Sequence, residues 1–218
     1  MEQVRLQIVA HRGGRGPFPE NTPDAYGYAA DRGCESVEMD IRYNYLRRRF
    51  FLAHDIIHHP QRRKNFLDIA IEQVPQDVQL VLEIKTLSIL PGVVARAFSR
   101  FYTKHLDERD VVVISFNPII LMFLRKINSK IPRGILCGSL FSMILHNWFL
   151  WRFVDAQWYI VNKRLLSNRF VLWARQRGMM IGIYLVNSIK SWKKSLKFDV
   201  DMAITDYPKK LAKLRSEL

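Results

Sequence analysis

Cysteine is nearly absent. The 218 residues hold only Cys34 and Cys137, which make no disulfide framework, and both sit in apolar surroundings that suit reduced, buried thiols. No Pro-, Gly- or Ser-rich linker, low-complexity tract or internal repeat divides the chain, so residues 1–218 are expected to form one domain. The opening residues, Met-Glu-Gln-Val-Arg-Leu-Gln-Ile-Val-Ala, lack the basic and long apolar regions of a signal peptide, which predicts a cytoplasmic protein. Acidic side chains are scarce, 20 Asp and Glu against 34 Lys and Arg, and the formal net charge is +14. Such a surface draws anions: nucleic acid, acidic lipid headgroups or a phosphorylated substrate. The basic residues cluster at Arg47-Arg48-Arg49, Arg62-Arg63-Lys64 and from Lys190 to Lys197. None of these carries a nucleic-acid motif, so nucleic acid is not expected as a partner. Residues 134–151 are 18 in a row without a formal charge, long enough for a membrane span. Gly134, Gly138, Ser139, Ser142, His146 and Asn147 interrupt them. A short strand, a turn and a helix start are therefore expected there, with an apolar lip that touches lipid as the alternative.

What is present is a globular composition, 49% apolar and 25% charged, with enough apolar side chains for a core. Short apolar runs alternate with helical patterns. Strands are expected at Leu6–Ala10, Ser36–Ile41, Gln79–Ile84, Val111–Ser115, Arg133–Cys137, Trp158–Val161, Met180–Tyr184 and Met202–Thr205. Helices are expected at Thr22–Arg32, Gly92–His105, Pro118–Asn128, Ser142–Val154, Leu165–Arg177, Ile189–Leu196 and Tyr207–Glu217, while residues 42–75 link the second strand to the third. Strands and crossover helices repeated about eight times predict an α/β fold, the (β/α)8 barrel, over an open doubly wound sheet.

Charge interrupts the apolar pattern at strand ends. In Val37-Glu38-Met39-Asp40-Ile41 the period of two turns Glu38 and Asp40 the same way, and two carboxylates buried side by side need a cation. Glu83 and Lys85 close the third strand, His11-Arg12 follow the first, and His54-Asp55 follow a hairpin after the second. A parallel barrel gathers such ends on its catalytic face. Glu38, Asp40 and Glu83, with no Cys, suit a hard oxygen-seeking ion, Mg²⁺ or Ca²⁺. Two histidines beside it suit general acid/base work, Arg12 offers a planar fork for phosphate, and Lys85 a second positive charge. Together these are equipment for phosphoester hydrolysis.

His11-Arg12-Gly13 with Pro19-Glu20-Asn21-Thr22, then Glu38-x-Asp40, His54-Asp55 and Glu83-Ile84-Lys85, resembles the glycerophosphodiester phosphodiesterase family. Ser115-Phe116, Tyr184-Leu185-Val186-Asn187 and Thr205-Asp206-Tyr207-Pro208 extend the likeness to about residue 208. The resemblance implies that Glu38, Asp40 and Glu83 hold the metal, that His11 and His54 are the catalytic acid/base pair, that Arg12 contacts phosphate and that Lys85 stands beside both. It implies glycerol 3-phosphate as product, released from a diester of an alcohol such as choline, ethanolamine or inositol.

Three departures bear on the substrate. A basic, aromatic segment, Arg42 to Arg49, stands in place of the family's Thr-x-Asp-Gly turn, only 28 residues separate His54 from Glu83, and Tyr184 replaces a Trp. The insertion that roofs the site is thus expected to be shortened. An open, basic site beside the apolar stretch would also admit lysophospholipids and would allow peripheral contact with an anionic membrane; a non-catalytic barrel that binds anionic lipid is the remaining alternative. Tyr184 is expected as a wall of the site, and Asn21 with Glu20 to orient Arg12 or the glycerol. Thr22 and Pro23 also suit the start of a helix. Asn162 and Lys163 are candidates to line the pocket, and His58 and His59 are read as exposed.

Overall fold

The structure is a computed structural model and describes residues 6–55, 65–86, 90–145 and 150–217. The chain runs β1 (Gln7–His11), α1 (Pro23–Ala30), β2 (Ser36–Asn44), β3 (Arg49–Leu52), α2 (Leu67–Glu72), β4 (Gln79–Ile84), α3 (Pro91–His105), β5 (Val111–Ser115) and α4 (Pro118–Ile127). It continues through β6 (Arg133–Cys137), α5 (Leu140–Leu145), α6 (Trp151–Val154), β7 (Trp158–Asn162), α7 (Asn168–Arg175), β8 (Met180–Tyr184), α8 (Ile189–Lys197), β9 (Met202–Thr205) and α9 (Pro208–Ser216). Strand β1 pairs in parallel with both β2 and β9, so eight parallel strands close into a (β/α)8 barrel. Strand β3 lies outside that ring, antiparallel to β2, and forms with it the expected hairpin.

Side chains alternate between two apolar layers, as the two-residue period of a strand requires. Val37, Met39, Ile41, Leu80 and Leu82 point outward and pack under the helices. Val9, Val81, Val112, Ile114, Trp158 and Ile160 fill the lumen. Two glycines leave room for the largest of these: a Cβ on Gly134 would stand 2.9 Å from the Trp158 Cβ, and one on Gly182 2.8 Å from the Ile160 Cγ1. Each fully buried side chain of this size contributes about 1.5–3 kcal/mol. The same parity that sends Val9 and Val81 inward sends His11, Glu38, Asp40 and Glu83 inward at the C-terminal ends of β1, β2 and β4. The register sets His11 beside Glu38 and Asp40 beside Glu83.

All eight expected barrel strands are present, five with the expected bounds. Strand β2 runs three residues further than expected because pairing with β3 carries it to Asn44. Helix α1 starts as its sequence indicates, with Pro23 in its first turn and the Thr22 hydroxyl accepting from the Ala25 N–H. Of the expected helix Ser142–Val154 the described residues show α5 as far as Leu145 and α6 from Trp151, which ends on Asp155 in the left-handed region at φ 52°, while residues 146–149 lie outside the described residues. One expectation needs correction. Helix α2, not expected from the sequence, occupies Leu67–Glu72; it is one and a half turns with no side-chain cap, too short for its periodicity to register. No described helix is long and apolar enough to cross a membrane. Both cysteines are free, Cys137 buried and Cys34 half-buried.

Candidate active site

Three carboxylates meet where β2 and β4 end. Glu38, Asp40 and Glu83 are each buried, and one oxygen from each lies within 4.8 Å of the others. Among the described residues this is the cluster able to hold a metal ion, and its donors are oxygen only. Burial and then the neighbouring Asp40 and Glu83 charges raise Glu38 well above the ordinary carboxylate range. Burial also lifts Glu83, to about 7, although Lys85 pulls it down. So much like charge in one dry place requires cations.

Two are built in. The Arg12 Nε lies 2.8 Å from Asp40 Oδ2 and its Nη1 2.6 Å from Glu20 Oε1, while the backbone N–H of Arg12 donates to Glu38 Oε2 at 3.0 Å. The Lys85 Nζ reaches Glu83 Oε1 at 2.6 Å and Asp40 Oδ1 at 3.2 Å. Three carboxylates against two cations leave one negative charge over when all are ionised. Among the described residues, neither Asp40 oxygen accepts a hydrogen bond of good geometry despite these contacts. A divalent cation fits that donor set in charge and in chemistry.

The loop after β1 achieves this geometry with left-handed backbone at Arg12 (φ 50°) and Asn21 (φ 59°), a conformation that Asn tolerates better than most side chains. Asn21 is buried behind the carboxylates and outside the cavity lining. Its Oδ1 accepts from the Asp40 N–H at 3.0 Å and from the Tyr26 hydroxyl, and its Nδ2 donates to the Asp40 carbonyl at 3.2 Å. Asn21 therefore braces the strand that carries Asp40. Of the two alternatives for Glu20 and Asn21, it is Glu20 that grips Arg12.

The histidines differ in setting. His11 Nδ1 lies 2.7 Å from Asp206 Oδ1, and both side chains are largely buried. His54 Nδ1 lies 2.8 Å from Asp55 Oδ1, with His54 44% and Asp55 81% exposed. Arg42 ties two site loops together, donating to the His54 carbonyl at 2.8 Å and to the Lys85 carbonyl at 3.4 Å. His11, Arg12, Glu38, His54, Glu83 and Lys85 line one side of a cavity of about 190 Å³. Ile114, Phe116, Leu136, Tyr184 and Leu185 complete the lining with Ile204, which stands on β9 beside β1. Tyr184 is thus a wall, its hydroxyl donating to the Cys137 carbonyl at 3.0 Å. A larger cleft, about 640 Å³ between α5 and α7, contains no acid/base pair among its described lining residues.

Two candidates lie elsewhere. Lys163 Nζ donates to the Leu185 carbonyl and Asn162 Oδ1 accepts from the Arg164 N–H; neither lines the cavity. His58, His59 and the Arg62-Arg63-Lys64 cluster lie outside the described residues. Sequence reasoning missed Arg42, Asn187 and Asp206 as site-building groups. The last two stand in family motifs, but nothing local says that Asp206 meets a side chain 195 positions away.

Comparison with known proteins agrees with this geometry. The profile of the glycerophosphoryl diester phosphodiesterase family matches residues 43–210. A glycerophosphodiester phosphodiesterase of Bacillus altitudinis is 23% identical over 247 aligned positions, covering 97% of this chain and 99% of the relative. Among solved structures, an Oleispira antarctica phosphodiesterase in complex with the product sn-glycerol-3-phosphate superposes with a TM-score of 0.84 at 20% identity, covering 97% of each chain. A Parabacteroides distasonis glycerophosphodiester phosphodiesterase gives a TM-score of 0.82 at 16% identity, covering 99% of this chain and 98% of the other. The family profile covers the second strand's end and the rest of the barrel, the full-length relatives cover the His11, Glu38 and Asp40 region as well, and this chain belongs to the glycerophosphoryl diester phosphodiesterase family.

Proposed function

We propose that this chain hydrolyses glycerophosphodiesters to glycerol 3-phosphate and an alcohol in the cavity between His11 and His54. The observation that carries the reading is the convergence of Glu38, Asp40 and Glu83 beside two histidines, an Arg and a Lys. In this reading the three carboxylates hold one divalent ion, Mg²⁺ or Ca²⁺, which supplies positive charge to phosphoryl oxygens as negative charge builds there. Arg12, already held by Glu20 and Asp40, directs its guanidinium at phosphate, and Lys85 adds a second charge. One histidine takes a proton from the attacking water as its oxygen bonds to phosphorus. The other protonates the alcohol oxygen as the P–O bond breaks, so protons balance over the cycle. Asn21 orients Asp40 through the strand backbone instead of touching substrate. The Oleispira antarctica phosphodiesterase, solved with sn-glycerol-3-phosphate as its product, supports the product class. The test is a product assay on water-soluble diesters such as glycerophosphocholine with added Mg²⁺ or Ca²⁺. Release of glycerol 3-phosphate that stops in EDTA is expected; cleavage undiminished in metal-free protein would overturn the metal assignment.

A second reading, lysophospholipid cleavage at an anionic membrane, is favoured by the second half of the rim. Phe116, Ile119, Leu140, Phe141 and Ile144 are exposed there, and the 640 Å³ cleft is lined by Leu140, Met143, Ile144, Phe170 and Trp173 with Arg169 among them. An apolar lip beside basic side chains suits an acyl chain with an anionic head. Comparison of lysophosphatidylcholine with glycerophosphocholine under matched metal decides it: cleavage of the soluble diester alone would end the lipid reading.

A further inference from the structure

We infer that Asp206 is the positioning residue of the site, fixing the tautomer and the aim of His11; this rests on His11 being one of the two acid/base groups. The seam where the barrel closes carries the contact. His11 ends β1 and Asp206 follows β9, and the Arg15 N–H donates to the Asp206 carbonyl at 2.7 Å, stitching the two loops together. Asp206 Oδ1 stands 2.7 Å from His11 Nδ1. An ionised carboxylate only accepts, so Nδ1 carries the ring proton and Nε2 is left as the basic nitrogen of a side chain that lines the cavity. The hydrogen bond from His11 holds the Asp206 carboxyl below its ordinary range, which keeps it an acceptor.

Asn187 makes the arrangement rigid. Its Nδ2 donates to Asp206 Oδ2 at 2.6 Å. Its own Oδ1 accepts from the Asp206 N–H at 2.9 Å, and the Thr205 hydroxyl lies 3.1 Å from the same oxygen. A backbone N–H can only donate, so the Asn187 amide cannot turn over without losing both partners. Asp206 is thus held on one oxygen by a fixed donor and presents the other to the ring. The frame of His54 is looser: its partner Asp55 is the next residue and is 81% exposed.

The frame predicts an unusual outcome for a single-atom change. In Asp206→Asn the side-chain oxygen is claimed by the Asn187 donor, so the new NH₂ group faces His11 Nδ1. That ring nitrogen must then accept, and the proton moves to Nε2, the wrong tautomer for a base. With Mg²⁺-loaded protein and glycerophosphocholine we expect kcat to fall about 10²-fold or more while KM stays within about threefold, the pattern of a lost tautomer. The reciprocal exchange, Asp206→Asn with Asn187→Asp, lets the new amide at position 206 donate to the new carboxylate and turn its oxygen back to the ring. It should recover at least about tenfold of the loss, which a merely structural role would not do. Ring ¹⁵N spectra give a readout that needs no turnover: His11 is expected as the Nδ1–H tautomer in wild type and Nε2–H in Asp206→Asn. A wild-type Nε2–H ring, or Asp206→Asn at full kcat, would overturn the inference. If wild type cleaves no diester at all, the proposed function fails instead, and the spectra still decide the role of Asp206.

Discussion

The two halves of the barrel rim are built from opposite materials. From β1 to β4 the lumen ends in His11, Glu38, Asp40, Glu83 and the cations that hold them, all tied by short polar contacts. From β5 to β8 it ends in Ile114, Leu136 and Tyr184, with Phe116, Leu140 and Phe141 exposed above. The first half is costly to fold, because charge is taken out of water, and the built-in cations Arg12 and Lys85 offset only part of that. The second half is stable without help and presents an apolar wall. In the proposed function a site split this way would separate chemistry from selectivity, with the polar half acting on the phosphodiester and the apolar half meeting whatever is attached to it.

The comparison breaks most sharply at the carboxylates. Glu83→Gln or Glu38→Gln should lower turnover by about 10³-fold, as loss of several kcal/mol of charge stabilisation implies. Thermal melting checks the same point without substrate: Mg²⁺ or Ca²⁺ should raise the wild-type Tm, by linkage, and raise the Tm of Glu38→Gln far less. Equal metal-induced shifts in both proteins would show that the ion binds elsewhere.

Next in size are the histidines. His11→Ala and His54→Ala should each lose about 10²–10⁴-fold in kcat while the metal-induced Tm shift persists. Retained activity in either would remove that imidazole from the reaction.

A smaller effect is expected on the apolar half. Phe141→Ser and Leu140→Ser should leave glycerophosphocholine turnover within about twofold, since exposed substitutions seldom move stability by more than about 0.5 kcal/mol. If lipid is a substrate, the same changes should weaken vesicle binding. So should Arg47→Gln with Arg48→Gln, with each basic residue near an anionic surface worth about 1 kcal/mol. Arg49 is a poor choice for this test, because it pairs with Asp68 and stacks at 4.0 Å over Phe66. Equal binding to neutral and anionic vesicles would argue against any role for the basic hairpin.

The smallest effect lies at the seam. The Asp206 carboxyl is held below its ordinary range chiefly by the hydrogen bond from His11, so its contribution to stability is present above the unfolded value of about 3.9. It is lost as pH falls through the lower folded value. Acid titration should therefore show a shallow loss of wild-type stability below about pH 4 that is missing in Asp206→Asn; identical acid profiles would contradict it.

Much of the fold was legible in the sequence. Strands announced themselves by apolar runs such as Val111–Ser115, and the period of two put Glu38 and Asp40 on one face, with Glu83 at a strand end. Less legible was whatever depended on partners far along the chain. The six residues of α2 lack a period long enough to read. Asn21, Arg42 and Asp206 act through contacts with Asp40, His54 and His11, 19, 12 and 195 positions away.

Sequence alone determined the alternation of strand and helix, the shared face of Glu38 and Asp40 and the chemical kinds of group at the strand ends, because these follow from local period and residue type. Only the closed barrel decided which groups meet. Closure brings β9 against β1, and with it Asp206 onto His11. The register of β2 against β4 sets Asp40 beside Glu83, and the left-handed turn at Arg12 points a backbone N–H at Glu38. A carboxylate's role depends on the charge within a few ångströms of it, and that distance is a property of the fold.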